Sequence, residues 1–157
     1  MEKLWSFTDN SGSFKSLFAD KIKSLYLPLC NEALMSSISP DLHGDIKSAQ
    51  GSFLLTPVSR IDLVSSRASR NFWVYCKNKG DGSPKRTVPF SSVWSATGVS
   101  KNLEQIKADR FNLEAGMLWQ KITRQNNNIG LKAEILSFVP ATGEPVEIMQ
   151  VKLTNIS

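Results

Sequence analysis

Residues 114–155, EAGMLWQKITRQNNNIGLKAEILSFVPATGEPVEIMQVKLTN, decide the fold class of this chain. Residues 117–124 are a β-competent run, Asn126-Asn127-Asn128-Ile129-Gly130 supplies side chains that tolerate φ > 0, and residues 131–139 run back. Pro140-Ala141-Thr142-Gly143-Glu144-Pro145 forms a second turn, and residues 146–154 a third strand. The pattern is a β-meander. Alternation with period two predicts that Leu118, Ile122, Ile135, Phe138, Ile148 and Val151 face one interior. Val146, Ile148, Val151 and Leu153 change parity midway, which predicts a bulge or a doubly covered strand near Met149-Gln150.

Upstream, Trp5, Phe7, Phe14 and Phe18 alternate with polar residues around Asp9-Asn10-Ser11-Gly12, a hairpin turn signal. Leu25, Leu27 and Leu29 share one face of a short strand, and Pro28 points to an edge position or a strand end. Ser39-Pro40-Asp41-Leu42-His43-Gly44-Asp45 is a polar turn that opens onto a strand over residues 52–58. Residues 61–67 predict a helical turn, and residues 101–110 a short helix with Leu103 and Ile106 among charges. Between these two, residues 71–77 read as a strand with apolar side chains on both faces, hence covered on both sides. Short strands separated by Gly, Pro and Asn define an all-β class: an antiparallel β-sandwich with one or two short helices.

Length and charge narrow the function. A chain of 157 residues folding as one domain buries roughly 70% of its unfolded surface. Apolar runs stay short of the roughly 20 residues of a membrane span, and the N-terminus lacks a signal-peptide pattern, so a cytoplasmic protein without membrane contact is expected. The net charge of +5 lies entirely in residues 1–101, densest at Lys77, Lys79, Lys85 and Arg86. Asp81, Gly80, Gly82 and Pro84 interrupt that run, which marks a solvated loop rather than a nucleic-acid surface. Cys30 and Cys76 lack metal-ligand spacing and read as reduced, buried thiols, so no metal site is expected. A P-loop and a dinucleotide-binding glycine fingerprint are both missing, and no cofactor is expected.

Four groups of side chains are candidates for chemistry. His43, the only histidine, is a general base if Asp41 or Asp45 holds its second nitrogen, or otherwise a solvent-exposed or turn-stabilising residue. Asp41 and Asp45 themselves are a carboxylate pair for glycoside chemistry, or Asx residues stabilising a turn around Gly44. Arg67 and Arg70, with Asn71 beside them, suit phosphate or sugar hydroxyls through the guanidinium fork, or surface ion pairs. Trp5, Trp73, Trp94 and Trp119 offer stacking faces; Trp73 and Trp119 lie in apolar strands and are expected in the core, whereas Trp94 is expected at the surface.

Several stretches resemble, in order, one group of enzymes. They are Asn31-Glu32-Ala33, residues 39–45, Asn71-Phe72-Trp73-Val74-Tyr75, Trp94-Ser95-Ala96-Thr97-Gly98, Glu114-Ala115-Gly116 with Trp119, Ser137-Phe138-Val139-Pro140, Pro145-Val146-Glu147-Ile148 and Leu153-Thr154-Asn155. The chain is similar to the N-terminal sandwich of the inverting β-glycoside phosphorylases related to cellobiose phosphorylase, nearest the members that act on longer β-glucans. The basic stretch over residues 81–93 departs from that pattern as an apparent insertion. The resemblance implies a galactose-mutarotase-like super-sandwich, incomplete here, that packs on an (α/α)₆ barrel and takes part in a homodimer. In that family the barrel holds the general acid, while inorganic phosphate attacks the anomeric carbon of a β-gluco-oligosaccharide and releases glucose 1-phosphate. It implies no catalytic residue in this chain; the residue-by-residue reading leaves Asp41, His43, Asp45, Arg67, Arg70, Asn71 and Trp94 as the candidates for substrate contact. A sandwich that lacks its next strand leaves an exposed edge, so self-association through Val146, Ile148, Val151 and Leu153 is expected.

Overall fold

In a computed structural model of the chain, the described residues are 4–19, 22, 25–49, 52–55, 70–77, 91–95 and 109–156. They form twelve strands: β1 Ser6–Phe7, β2 Phe14–Ser16, β3 Leu27–Cys30, β4 Met35–Ile38, β5 Ile46–Ala49, β6 Ser52–Leu55, β7 Trp73–Lys77, β8 Ser91–Ser95, β9 Asp109–Gly116, β10 Trp119–Asn126, β11 Leu131–Phe138 and β12 Ile148–Asn155. A six-stranded sheet runs β1-β2-β9-β10-β11-β12, a four-stranded sheet β3-β4-β5-β6, and β7-β8 is a separate hairpin. Every pairing is antiparallel. The fold is an open, all-β sandwich, as the sequence pattern predicts.

The meander has one strand more than its sequence suggested. Strand β9 pairs with β10 over its whole length, and its inward residues Phe111, Leu113 and Ala115 are buried while Asn112 and Glu114 are only partly covered. Asp109 and Arg110, expected in a helix, begin this strand. Residues 61–67 and 101–108, the other helical expectations, lie outside the described residues, as do 56–58 and the basic segment 78–90. No α-helix occurs among the described residues. Met117, expected to open a strand, instead sits in the two-residue turn between Gly116 and Trp119, and its side chain is 82% exposed. Leu118 completes that turn at φ 62, left-handed geometry that a non-glycine residue adopts at some cost. Pro28 lies in β3, an edge strand as expected, where its missing N–H costs no ladder bond.

One cross-strand row forms the centre of the interior. Leu113, Ile122, Ile135 and Val151 stand opposite one another on β9, β10, β11 and β12, and the first three are fully buried. Leu29, Leu34, Ile38 and Leu42 of the four-stranded sheet and its turn belong to the same core. Phe138 and Ile148, expected in that interior, are instead on the outer face, because Phe138 is three residues from Ile135 and pairs with Ile148. Leu118, in the turn, is only partly buried. The expected bulge at Met149-Gln150 is also not found: β11 and β12 pair residue for residue from Phe138↔Ile148 to Leu131↔Asn155. Ile148 faces out while Val151 and Leu153 face in, which accounts for the change of parity.

Polar residues share the inner face. Gln120, Arg124, Asn126 and Ser137 are each under 4% exposed, and Gln120 Nε2 reaches across to the carbonyl of Ser39 at 2.9 Å. That bond ties the two sheets together through backbone as well as through apolar contact. Asn31 does the same at one end: its Nδ2 donates to the carbonyls of Pro140, Thr142 and Glu144, while its Oδ1 accepts from the N–H groups of Ala33 and Leu34. One side chain thus fixes the β3–β4 turn against the β11–β12 connection.

Truncating the central row tests the assignment of faces. Ile135→Ala should lower the unfolding free energy by about 2–5 kcal/mol, and Ile148→Ala, 37% exposed, by less than about 1 kcal/mol. Urea denaturation that ranks the two the other way round would reverse the two faces of β11 and β12.

Candidate functional site

The polar turn between β4 and β5 is where most of the candidate residues meet. It closes on itself: Ser39 N–H donates to the His43 carbonyl at 2.7 Å, Leu42 N–H to the Ser39 carbonyl at 2.9 Å, and His43 N–H to Ser39 Oγ at 3.1 Å. Leu42 has φ 63 and Gly44 φ 142. A side chain at Gly44 would collide with the Ser37 carbonyl, and Arg70 Nη1 lies 3.2 Å from where its Cβ would be. Only glycine fits there without rearrangement.

Into this turn comes Arg70, itself only 9% exposed. Its N–H donates to the Leu42 carbonyl at 2.9 Å. The guanidinium grips Glu147 bidentately, Nε to Oε1 at 2.6 Å and Nη2 to Oε2 at 2.8 Å. Nη2 also reaches Ser36 Oγ at 2.6 Å and the Asp45 carbonyl at 3.3 Å, and Nη1 the Gly44 carbonyl at 3.1 Å. Ser36 Oγ in turn donates to Glu147 Oε2, and Ser37 Oγ to Asp45 Oδ1. The side chains of the Arg70–Glu147 pair are 8% and 6% exposed. Such a pair in low dielectric holds only when its remaining donors and acceptors are satisfied, and here backbone carbonyls and a serine do so.

The chemistry open to this cluster follows from its burial. The Arg70 cation is neutralised by Glu147 and turned inward, so it acts on the protein's own backbone rather than on solvent. His43 is 1% exposed, sealed within the turn. Asp45 is half-buried against Ser37, whereas Asp41 is exposed; burial, with the charge of Asp41 adding to it, holds the Tyr26 hydroxyl above its usual range. Asn71 is half-buried, and its Oδ1 accepts from the N–H of Phe72. Arg67 lies outside the described residues. Asp41, His43 and Asp45 lie in this turn, Arg70 is bound to it and Asn71 follows Arg70, whereas Trp94 is engaged by a different set of side chains.

Trp94 belongs to a second buried cluster. It is 4% exposed, against the expectation of a surface position, because its partner Val74 and the neighbouring Phe72 and Cys76 all pack on the core. Its Nε1–H donates to Asp109 Oδ2 at 3.2 Å. Arg124 Nη2 lies 3.2 Å from the same oxygen, and Asn126 Nδ2 donates to Oδ1 at 2.6 Å. The Arg124 guanidinium sits 4.9 Å from the Phe111 ring and 5.7 Å from Trp94, a cation held between aromatic faces. Burial pushes its pKa down, while the charges of Asp109 and Asp41 pull it back up. The reverse holds for Trp73: expected in the core, it is 59% exposed, and Tyr75 on the same side of β7 is 64% exposed. Trp119 is half-buried on the outer face.

Sequence reasoning missed Glu147, Ser36, Asp109 and Arg124. Arg124 carried a readable signal, since it stands two residues from Ile122 and so points inward with it. Glu147 carried none, because its partner is 77 positions away. A third feature is an apolar cleft of about 590 Å³ beside the N-terminal hairpin, lined by Leu4, Trp5, Phe7, Phe14, Ile22 and Leu25. Trp5 and Phe7 meet edge to face there, with centroids 5.1 Å apart. Among the described residues no cluster of His, Cys, Asp or Glu could hold a metal ion, and no helix is long and apolar enough to cross a membrane. No protein-family model matches the chain, and comparison with curated proteins finds no match.

The clamp predicts a specific pattern of stability. Glu147→Gln leaves the buried Arg70 cation without its counter-charge and should cost about 3–5 kcal/mol, whereas the double replacement Arg70→Met with Glu147→Met should recover most of that loss. Urea denaturation of the three variants measures it; a cost below about 1 kcal/mol for Glu147→Gln would mean that the pair is open to water.

Proposed function

We propose that this chain is the N-terminal, non-catalytic β-sandwich domain of a cytoplasmic β-gluco-oligosaccharide phosphorylase. The observation that carries the reading is where the residues of the resemblance lie. Asn31 fastens the β3–β4 turn to the segment that begins at Pro140, Gly44 and Asp45 receive Arg70, and Glu147 anchors it. Motifs far apart in sequence thus converge on the contacts that hold the two sheets together. A signature made of scaffold residues suits a domain that supports chemistry located elsewhere.

In this reading the chain presents a rigid sandwich to an (α/α)₆ barrel and to the second subunit of a homodimer. The barrel supplies the general acid, and phosphate, already an anion, attacks the anomeric carbon without a carboxylate base. His43 and Arg70 then have positioning roles in the sandwich and no contact with sugar. Fractionating a native extract with an antibody to this chain tests the proposal. Release of glucose 1-phosphate from a β-gluco-oligosaccharide and phosphate should follow the antibody signal, on a polypeptide longer than 157 residues, and the isolated chain should release none. Activity of the isolated chain, or a native polypeptide of this length in inactive fractions, would refute it.

A second reading, a carbohydrate-binding module, rests on Trp73 and Tyr75. Both are more than half exposed, and alternate residues of a strand stand about 6.7 Å apart on one face, which makes two neighbouring platforms for the C–H faces of a pyranose chain. Tryptophan fluorescence titrated with β-gluco-oligosaccharides, without phosphate, should then saturate and lose its response in Trp73→Ala. An unchanged spectrum at millimolar sugar would exclude this role.

A further inference from the structure

Beside the apolar central row of the inner face lies a polar one. Ala115, Gln120, Ser137 and Met149 stand opposite one another on β9, β10, β11 and β12, and Gln120 and Ser137 are both 0% exposed. One orientation is open to the Gln120 amide. Its Nε2 donates to the Ser39 carbonyl at 2.9 Å, and a flipped amide would set two acceptor oxygens against each other. Oε1 is therefore an acceptor sealed in the core. Among the described residues neither Gln120 Oε1 nor Ser137 Oγ has a hydrogen-bond partner. Buried polar groups of folded proteins almost always find one, because an unpaired group keeps the full cost of leaving water.

We infer that one water molecule is bound in this core between Gln120 Oε1 and Ser137 Oγ. The chemistry of the pair selects the occupant. Gln120 Oε1 needs a donor, while a serine hydroxyl can donate one bond and accept another. A water molecule meets both demands from a single oxygen, and two such partners are enough to hold it. An apolar molecule would leave both groups unpaired. A metal ion is disfavoured as well, since no cluster of His, Cys, Asp or Glu among the described residues could hold one. Ala115 and Ser137, on either side of Gln120, are small, whereas the adjoining row holds Leu113, Ile122, Ile135 and Val151. Neither neighbour thus fills the space beside the amide with its own side chain. The bound water extends the tie between the sheets: the Ser39 carbonyl, the Gln120 amide, the water and the Ser137 hydroxyl form one run of hydrogen bonds. Both protein groups are fully buried, so the site is independent of what packs outside it and of the phosphorylase reading.

A crystal structure of the full chain that resolves ordered solvent tests the site directly. A water oxygen about 3 Å from both Gln120 Oε1 and Ser137 Oγ is expected. Ser137→Ala removes one of the water's partners and should lower the folding equilibrium constant in urea denaturation about five- to thirty-fold. An unpaired hydroxyl would give the opposite sign, since its removal relieves the core of a desolvated group. Density with no solvent peak beside the pair, or with Ser137 Oγ bonded directly to Gln120 Oε1, overturns the inference. A Ser137→Ala chain as stable as the wild type, or more stable, does the same.

Discussion

Two charges taken out of water, Arg70 and Glu147, fix how the two sheets sit on each other. Desolvating such a pair costs several kcal/mol per ion, and the mutual attraction offsets this only when geometry and supplementary hydrogen bonds are good. Both conditions hold here. The fork is bidentate at 2.6 and 2.8 Å, and carbonyls of Gly44 and Asp45 with the Ser36 hydroxyl accept further bonds from Nη1 and Nη2. A buried guanidinium satisfies its donors in few positions, so the pair restricts how the two sheets can shift. Gly44 follows from this constraint, because its carbonyl faces Arg70 while its missing side chain lets the Ser37 backbone close in.

The second buried cation does a different job. Arg124 and Asp109 lie within one sheet, on β10 and β9, and their partner Trp94 comes from the β7–β8 hairpin. The hairpin is thereby fastened to the meander by an indole N–H and by stacking on a cation. Once Trp94 is inside, alternation decides the rest. Val74 pairs with Trp94 and turns inward with Phe72 and Cys76, so Trp73 and Tyr75 must turn out. Burial also raises the Cys76 thiol pKa, in keeping with a thiol that serves as a small apolar side chain. The exposed aromatic pair is thus a consequence of where the hairpin is anchored.

The sequence revealed class and turns more readily than faces. Asn-rich and Pro-Gly segments mark the ends of β10, β11 and β12 because turn chemistry is local. Strand β9 escaped notice although Phe111, Leu113 and Ala115 alternate with Asn112 and Glu114, since the charged residues before it have helical spacing. Alternation was extended to Phe138 although it stands three residues from Ile135 and so has the opposite parity; its neighbour Ser137 holds the inward position and is fully buried. An interior containing Gln120, Arg124, Asn126 and Ser137 defeats any rule that sorts faces by polarity alone. The clamp was illegible for another reason. Ser36, Arg70 and Glu147 look like ordinary surface residues until the fold brings them together, and no local pattern encodes a contact across 77 positions.

A polar residue can touch substrate or hold a backbone in an unusual shape, and burial separates the two. A substrate-facing arginine needs donors directed at solvent or a cleft; those of Arg70 are directed at its own turn. A general-base histidine needs a path for its proton; His43 at 1% exposure lies behind the turn it belongs to. Trp94, the aromatic best placed by sequence for a sugar, is committed to Asp109 and Arg124. With these groups engaged inside, any recognition by the described part of this chain falls to its outer surfaces. Three stand out: the aromatic pair on β7, the apolar cleft beside the N-terminal hairpin and the open edge of β12. All three offer flat or linear apolar contact.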